Sequence, residues 1–123
     1  MRAEAPVVWI IDGEQWPRAA LVAELIERGY EAIGYREIGE ALAALRRPGT
    51  ARPRVVVLEL RGQEIDADGF DALERSAIPV ILLGGAVELD DPLVQQYGWR
   101  SIVSRPVTLG AIADTVEKVV RER

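Results

Sequence analysis

Three short apolar runs, "PVVWII" (6–11), "RVVVLEL" (54–60) and "IPVILL" (78–83), constrain the fold of this chain more than any other feature. Each is too short for a buried helix and too continuous for a strand wet on one face, so each reads as a strand covered on both sides. "EAIGY" (31–35) and "SIVS" (101–104) are weaker strand candidates. Helical patterns fill the intervals. Residues 17–28 carry Leu21, Val22, Leu25 and Ile26 as an apolar stripe, with Pro17 suited to a first turn and Gly29 to the position just past the end. Residues 37–46 put Ile38, Ala41, Leu42 and Leu45 on one face before "RRPG" stops the helix. Residues 107–121 do the same with Leu109, Ile112, Ala113, Val116 and Val119, and shorter helices are expected at 68–76 and 91–97. Five strand–helix units in succession imply an α/β fold, a parallel sheet with helices on both faces. In such a sheet the functional crevice lies beyond the C-terminal ends of the strands.

Composition removes whole classes of function. With 123 residues the chain is expected to form one domain spanning 1–123. It has no cysteine and no histidine, which excludes disulfides, thiolate metal sites and every Ser-His or Cys-His arrangement. A net charge of -5 argues against direct nucleic-acid binding, which needs a basic face. No run approaches the roughly 18 apolar residues of a membrane span, and "MRAEAP" lacks the apolar core of a secretory leader. A cytoplasmic protein without membrane contact is expected.

The strand ends carry the chemistry. Asp12 follows the first run, Glu59 ends the third strand, Gly84 ends the fourth and Arg105 follows the fifth, so all four should converge on one crevice. A carboxylate leaving the core is costly to hold unpaired, and the guanidinium fork of Arg105 matches it. A Glu59–Arg105 ion pair is therefore expected. Trp9, inside a strand, should be core, whereas Trp16 and Trp99, at element edges, should be partly buried.

At these residues the sequence resembles the receiver domain of bacterial two-component response regulators along nearly its whole length. The stretches that match are "IIDGE" (10–14), "VLELR" (57–61), "PVILLGGA" (79–86) and "SRPVTLGAI" (104–112), with "DADGF" (66–70) resembling the loop after the phospho-site. The resemblance implies a flavodoxin-like (βα)5 three-layer sandwich with strand order 2-1-3-4-5, and a cis peptide at Arg105–Pro106. It also implies a site: an acidic pair holding Mg²⁺, a phospho-accepting Asp, a hydroxyl residue and a Lys-Pro. Here Glu59 stands at the phospho-acceptor position, and Asp12, Gly13 and Glu14 make a degenerate acidic pocket. Gly84 replaces the hydroxyl residue, Ile102 the switching aromatic residue and Arg105 the lysine.

Departures at so many positions resemble an atypical receiver, a pseudo-receiver. The chain is expected to be a phosphorylation-independent, non-enzymatic module of signalling and protein–protein interaction, with no cofactor. Its partner is expected to be a protein, including a second copy, docked through the fourth helix, fifth strand and fifth helix. The face should carry Tyr97, Trp99 and the outer side of the last helix, rimmed by Asp114, Glu117, Lys118 and Arg121. Two alternatives stand beside this reading. One is a receiver that binds Mg²⁺ through Asp12, Glu14 and Glu59 and phosphorylates Glu59; the other is a small ligand-binding or enzymatic domain on the same fold.

Overall fold

The apolar runs become β1 (Val7–Ile11), β3 (Val55–Glu59) and β4 (Val80–Gly84), and every residue in the three is buried or, at Gly84, closed over by neighbours. The computed structural model describes residues 4–122; residues 1–3 and 123, which the expectation of a 1–123 domain includes, lie outside the described residues. With β2 (Glu31–Tyr35) and β5 (Ser101–Ser104) the strands form one parallel sheet in the order β2-β1-β3-β4-β5. This is the flavodoxin-like order expected above.

Because side chains alternate across a strand, the sheet divides the core in two. Trp9, Ile11, Leu58 and Leu82 face the layer of α2 (Ile38–Arg46) and α3 (Ala67–Arg75). Val8, Ile10, Val57 and Ile81 face α1 (Gln15–Glu27) and α5 (Leu109–Arg121). Each large side chain so buried contributes about 1.5–3 kcal/mol relative to exposure. Trp9 is core, as expected.

The helix ends follow from local chemistry. α1 stops in a Schellman motif: Gly29, at φ +95, donates its N–H to Ile26 O (3.0 Å) and Tyr30 donates to Leu25 O (3.0 Å). The Asp66 carboxylate accepts from the N–H groups of Asp68 and Gly69 at the start of α3, and Thr108 Oγ1 accepts from Ala111 at the start of α5. Among the described residues no helix is long and apolar enough to cross a membrane.

Four expectations change. The helix at 91–97 is absent; instead α4 (Ala86–Leu89) is a single turn, followed by a 3₁₀ turn at Val94–Gln96. Pro92 has no N–H to donate and pushes Asp91 out of the helical region, and the Asp91 carboxylate accepts the Leu93 N–H instead (2.9 Å). Ile26, turned about 100° from the buried Leu25, is more than half exposed. Trp16 is 78% exposed rather than partly buried, since it sits in the first turn of α1 with nothing packed over it. Finally, the outer rim expected on the last helix is partly an internal clamp. Arg28, the C-cap of α1, holds Asp114 (2.7 Å), Glu117 (3.1 Å) and Glu24 (2.9 Å), so two of those acids tie α5 to the end of α1. Those contacts hold the Arg28 guanidinium well above its ordinary pKa.

Candidate functional site

Parallel strands start and end together, so the residues that follow β1, β3, β4 and β5 share one edge of the sheet. A crevice of about 200 Å³ opens there, and its walls include Asp12, Glu59, Arg61, Leu83 and Arg105. Asp12 and Glu59 are the only buried charged residues among those described, 5% and 4% exposed. Their partners decide what the crevice can do.

Glu59 is held by two donors. Its Oε2 accepts from the backbone N–H of Arg61 (2.9 Å) and from the Arg105 guanidinium in a short ion pair. The expected Glu59–Arg105 pair is present. The other arm of Arg105 reaches Glu88 Oε1 on α4 (2.8 Å), and that oxygen also accepts the Gly85 N–H (2.8 Å). These two contacts, the backbone one foremost, hold the Glu88 carboxyl below its usual range. Arg105 thus ties the end of β3 to the start of α4 through a single guanidinium. The Arg105–Pro106 peptide is cis.

Arg61 and Glu88 join the site through these contacts, though the sequence does not single them out. Arg61 Nε lies 2.7 Å from Glu14 Oε2, without the alignment of a hydrogen bond, and its Nη2 lies 3.6 Å from Asp12 Oδ2. For Arg61 a signal does exist: in extended chain, residues two apart share a side, which puts it beside Glu59 at the crevice. Asp12 completes its shell by accepting the Glu14 N–H (2.9 Å).

This arrangement does not fit a magnesium ion as it stands. Mg²⁺ needs several hard oxygen ligands in octahedral array, yet the guanidinium of Arg61 lies against Asp12 and Glu14. Gly13 supplies no carboxylate, and no group of three carboxylates stands ready to hold a metal among the described residues. A Cβ built at Gly13 meets nothing closer than Gly62 O at 3.5 Å, so an acid is missing there without steric cause.

Gly84 is different. A Cβ there lies 3.1 Å from Leu89 Cδ2 and 3.2 Å from its Cγ, so the leucine of α4 closes over the strand end where a hydroxyl-bearing side chain would stand. Ile102, which pairs with Leu82 in the sheet register, is 57% exposed at the β5 edge. Tyr97 and Trp99 pack edge-on against Phe70 of α3. They belong to the α3 side of the sheet, so they do not share a face with α5, contrary to the expectation.

Burial raises the Asp12 carboxyl pKa, and the hydrogen bond from Glu14 and the charge of Arg61 only partly offset it. A carboxylate whose folded pKa exceeds its unfolded value opposes folding once it ionises. Asp12→Asn should therefore stabilise the domain at pH 7, with the gain shrinking as pH falls and vanishing below about 3.8, where the carboxyl is protonated in both states. Urea unfolding of both chains between pH 3 and pH 7 checks this, and a loss of stability at pH 7 would show the Arg61 contact to dominate.

No protein-family model matches the sequence, and no curated protein matches it. The likeness lies in solved structures. A response regulator receiver protein from Pseudomonas putida superposes with a TM-score of 0.76 at 25% identity, over 99% of this chain and 100% of that one. A response regulator receiver domain protein from Clostridium thermocellum gives 0.77 at 18%, over 95% of each chain. A response regulator from Thermotoga maritima gives 0.72 at 19%, over 95% of this chain and 98% of that one.

Proposed function

On the premise of the receiver-domain fold of two-component response regulators, which these neighbours share, we propose that the chain is an atypical receiver. It works without phosphorylation, as a signalling and protein-interaction module, and performs no enzymatic step. One observation carries the reading: Arg105 holds Glu59 and Glu88 at once. A phosphoryl group at this strand end would need a free acceptor, a divalent cation and donors for its oxygens. Here the acceptor position is ion-paired, the cation's place faces Arg61, and Gly84 offers no hydroxyl. The Arg105 bridge instead joins the crevice to α4.

The partner surface follows from what α4 leaves open. Val87 on α4 is 87% exposed and Ile102 lies on the neighbouring strand edge. Apolar side chains so exposed on α4 and the adjacent strand edge suit docking to a protein, including a second copy. Charge at both positions, in the double variant Val87→Glu/Ile102→Glu, should leave the fold intact and reduce self-association or partner binding at least several-fold. Sedimentation and pull-down read this, and unchanged association would move the interface elsewhere.

Intact mass after incubation with acetyl phosphate and Mg²⁺ tests the central claim. The expected spectrum shows the unmodified chain alone. A phosphate adduct on Glu59 would replace this reading with that of a phosphorylatable receiver.

A further inference from the structure

We propose that a second cavity, at the end of the sheet opposite the crevice, binds a small organic anion that carries a flat apolar ring. Since α4 is a single turn, the flank between α3 and the start of β5 is left open, and a cavity of about 410 Å³ lies there. That volume falls within the range of small-molecule sites, roughly 300–1,000 Å³. Tyr97 and Trp99 supply its accessible aromatic surface, while Phe70 and Leu73 of α3, 0% and 2% exposed, pack behind them. The rings are held in place: Phe70 lies 5.3 Å from Tyr97 and 5.1 Å from Trp99, both edge-on. Their polar tips are already satisfied, Tyr97 Oη by Asp71 (2.6 Å) and Trp99 Nε1 by Val94 O (2.7 Å). A ligand ring therefore meets apolar surface that needs no further ordering.

A polar cavity of about 320 Å³ adjoins the aromatic one and shares Ala77, Ile78, Pro79 and Arg100 with it. It adds Arg52. Each guanidinium is steadied through one nitrogen, Arg52 on Ser76 O and Arg100 on Glu122 (3.0 Å), and neither makes another side-chain hydrogen bond among the described residues. Donors on both thus remain for a carboxylate, sulfonate or phosphate. Glu74, the one acid on the aromatic walls, is exposed and does not line the polar lobe. The wall common to both lobes includes Ala77, a non-glycine residue in the left-handed region at φ +61. It is the residue just past the end of α3, where a left-handed residue commonly closes a helix, and its N–H donates to Glu74 O (3.0 Å). The site is independent of the crevice and of the reading of its chemistry.

The probe is 8-anilinonaphthalene-1-sulfonate, with the neutral N-phenyl-1-naphthylamine as its uncharged counterpart. Titrated into the folded chain, the sulfonate should bind and shift the NMR signal of the Trp99 indole N–H. Arg52→Gln and Arg100→Gln should each weaken the sulfonate by about threefold to tenfold, between an exposed ion pair and a charged hydrogen bond, and leave the neutral dye unchanged. Gly98 is an exposed residue on the wall of the aromatic lobe with no atom within 4 Å of its Cβ position, so Gly98→Leu has room for a side chain at the mouth and should weaken both dyes. Far-UV circular dichroism confirms that each variant is folded. If Arg100→Gln disturbs the fold through Glu122, Arg52→Gln and Gly98→Leu still decide the matter. An unmoved Trp99 signal, equal affinity for the two dyes, or sulfonate binding indifferent to the arginines would overturn the proposal.

Discussion

Arg105→Met should destabilise the domain by about 2–4 kcal/mol at pH 7. Removing one partner of a buried ion pair costs about 3–5 kcal/mol because the other charge is left behind, and the partial exposure of Arg105 reduces this somewhat. Glu59 would keep a single donor, the Arg61 N–H, inside a site that is 4% exposed. Glu88 would lose its cation too. Its pKa is lowered in the folded state, so its contribution is present above the ordinary value of 4.5 and is lost as pH falls through the folded pKa. Denaturant unfolding of Arg105→Met, Glu59→Gln and the double variant yields the coupling between the two. The double variant should be more stable than the sum of single losses allows. Coupling near zero would reduce the bridge to a surface contact and remove the main support for the proposed function.

On the proposed reading, phosphoryl chemistry at this strand end should need four changes together. Glu59→Asp alone corrects the acceptor by one methylene, a misplacement of about an ångström being enough to spoil in-line attack. It leaves Arg61 against Asp12, Gly13 without a carboxylate and Gly84 without a hydroxyl. Adding Gly13→Asp, Arg61→Gln and Gly84→Thr should be required before an adduct appears with acetyl phosphate and Mg²⁺. The four do not cost the same. Gly13→Asp makes only ordinary van der Waals contacts, the nearest at 3.5 Å to Gly62 O, whereas Gly84→Thr must push Leu89 aside and is expected to cost about 1–3 kcal/mol as overpacking. If Glu59→Asp labels as fully as the combined variant, the arginine and glycine positions do not carry the inertness proposed for the wild-type chain.

The Glu59–Arg105 pair is legible in the residues themselves, because a parallel strand order sends the ends of β3 and β5 to one side of the sheet. The Arg61 contacts and the Glu88 end of the bridge are not. Spacing puts a side chain on a side of the chain but does not say which of several nearby acids a long guanidinium will reach. The same gap explains Tyr97 and Trp99, whose aromatic character is plain in the sequence while their choice of α3 over α5 is not.

What the sequence determined by itself was everything carried by local period. The unbroken apolar runs of β1, β3 and β4 require cover on both faces, and the stripes of α1, α2 and α5 supply it. Alternation of the two leaves little but a parallel doubly covered sheet, since parallel strands need a crossover between them. Tertiary structure alone decided how the crevice was filled. Leu89 closes over Gly84, Arg61 lies between Asp12 and Glu14, and a one-turn α4 leaves the aromatic flank open. Each of these depends on distances between segments far apart in the chain. Those distances are set by packing the whole core, and no pattern within a single segment records them.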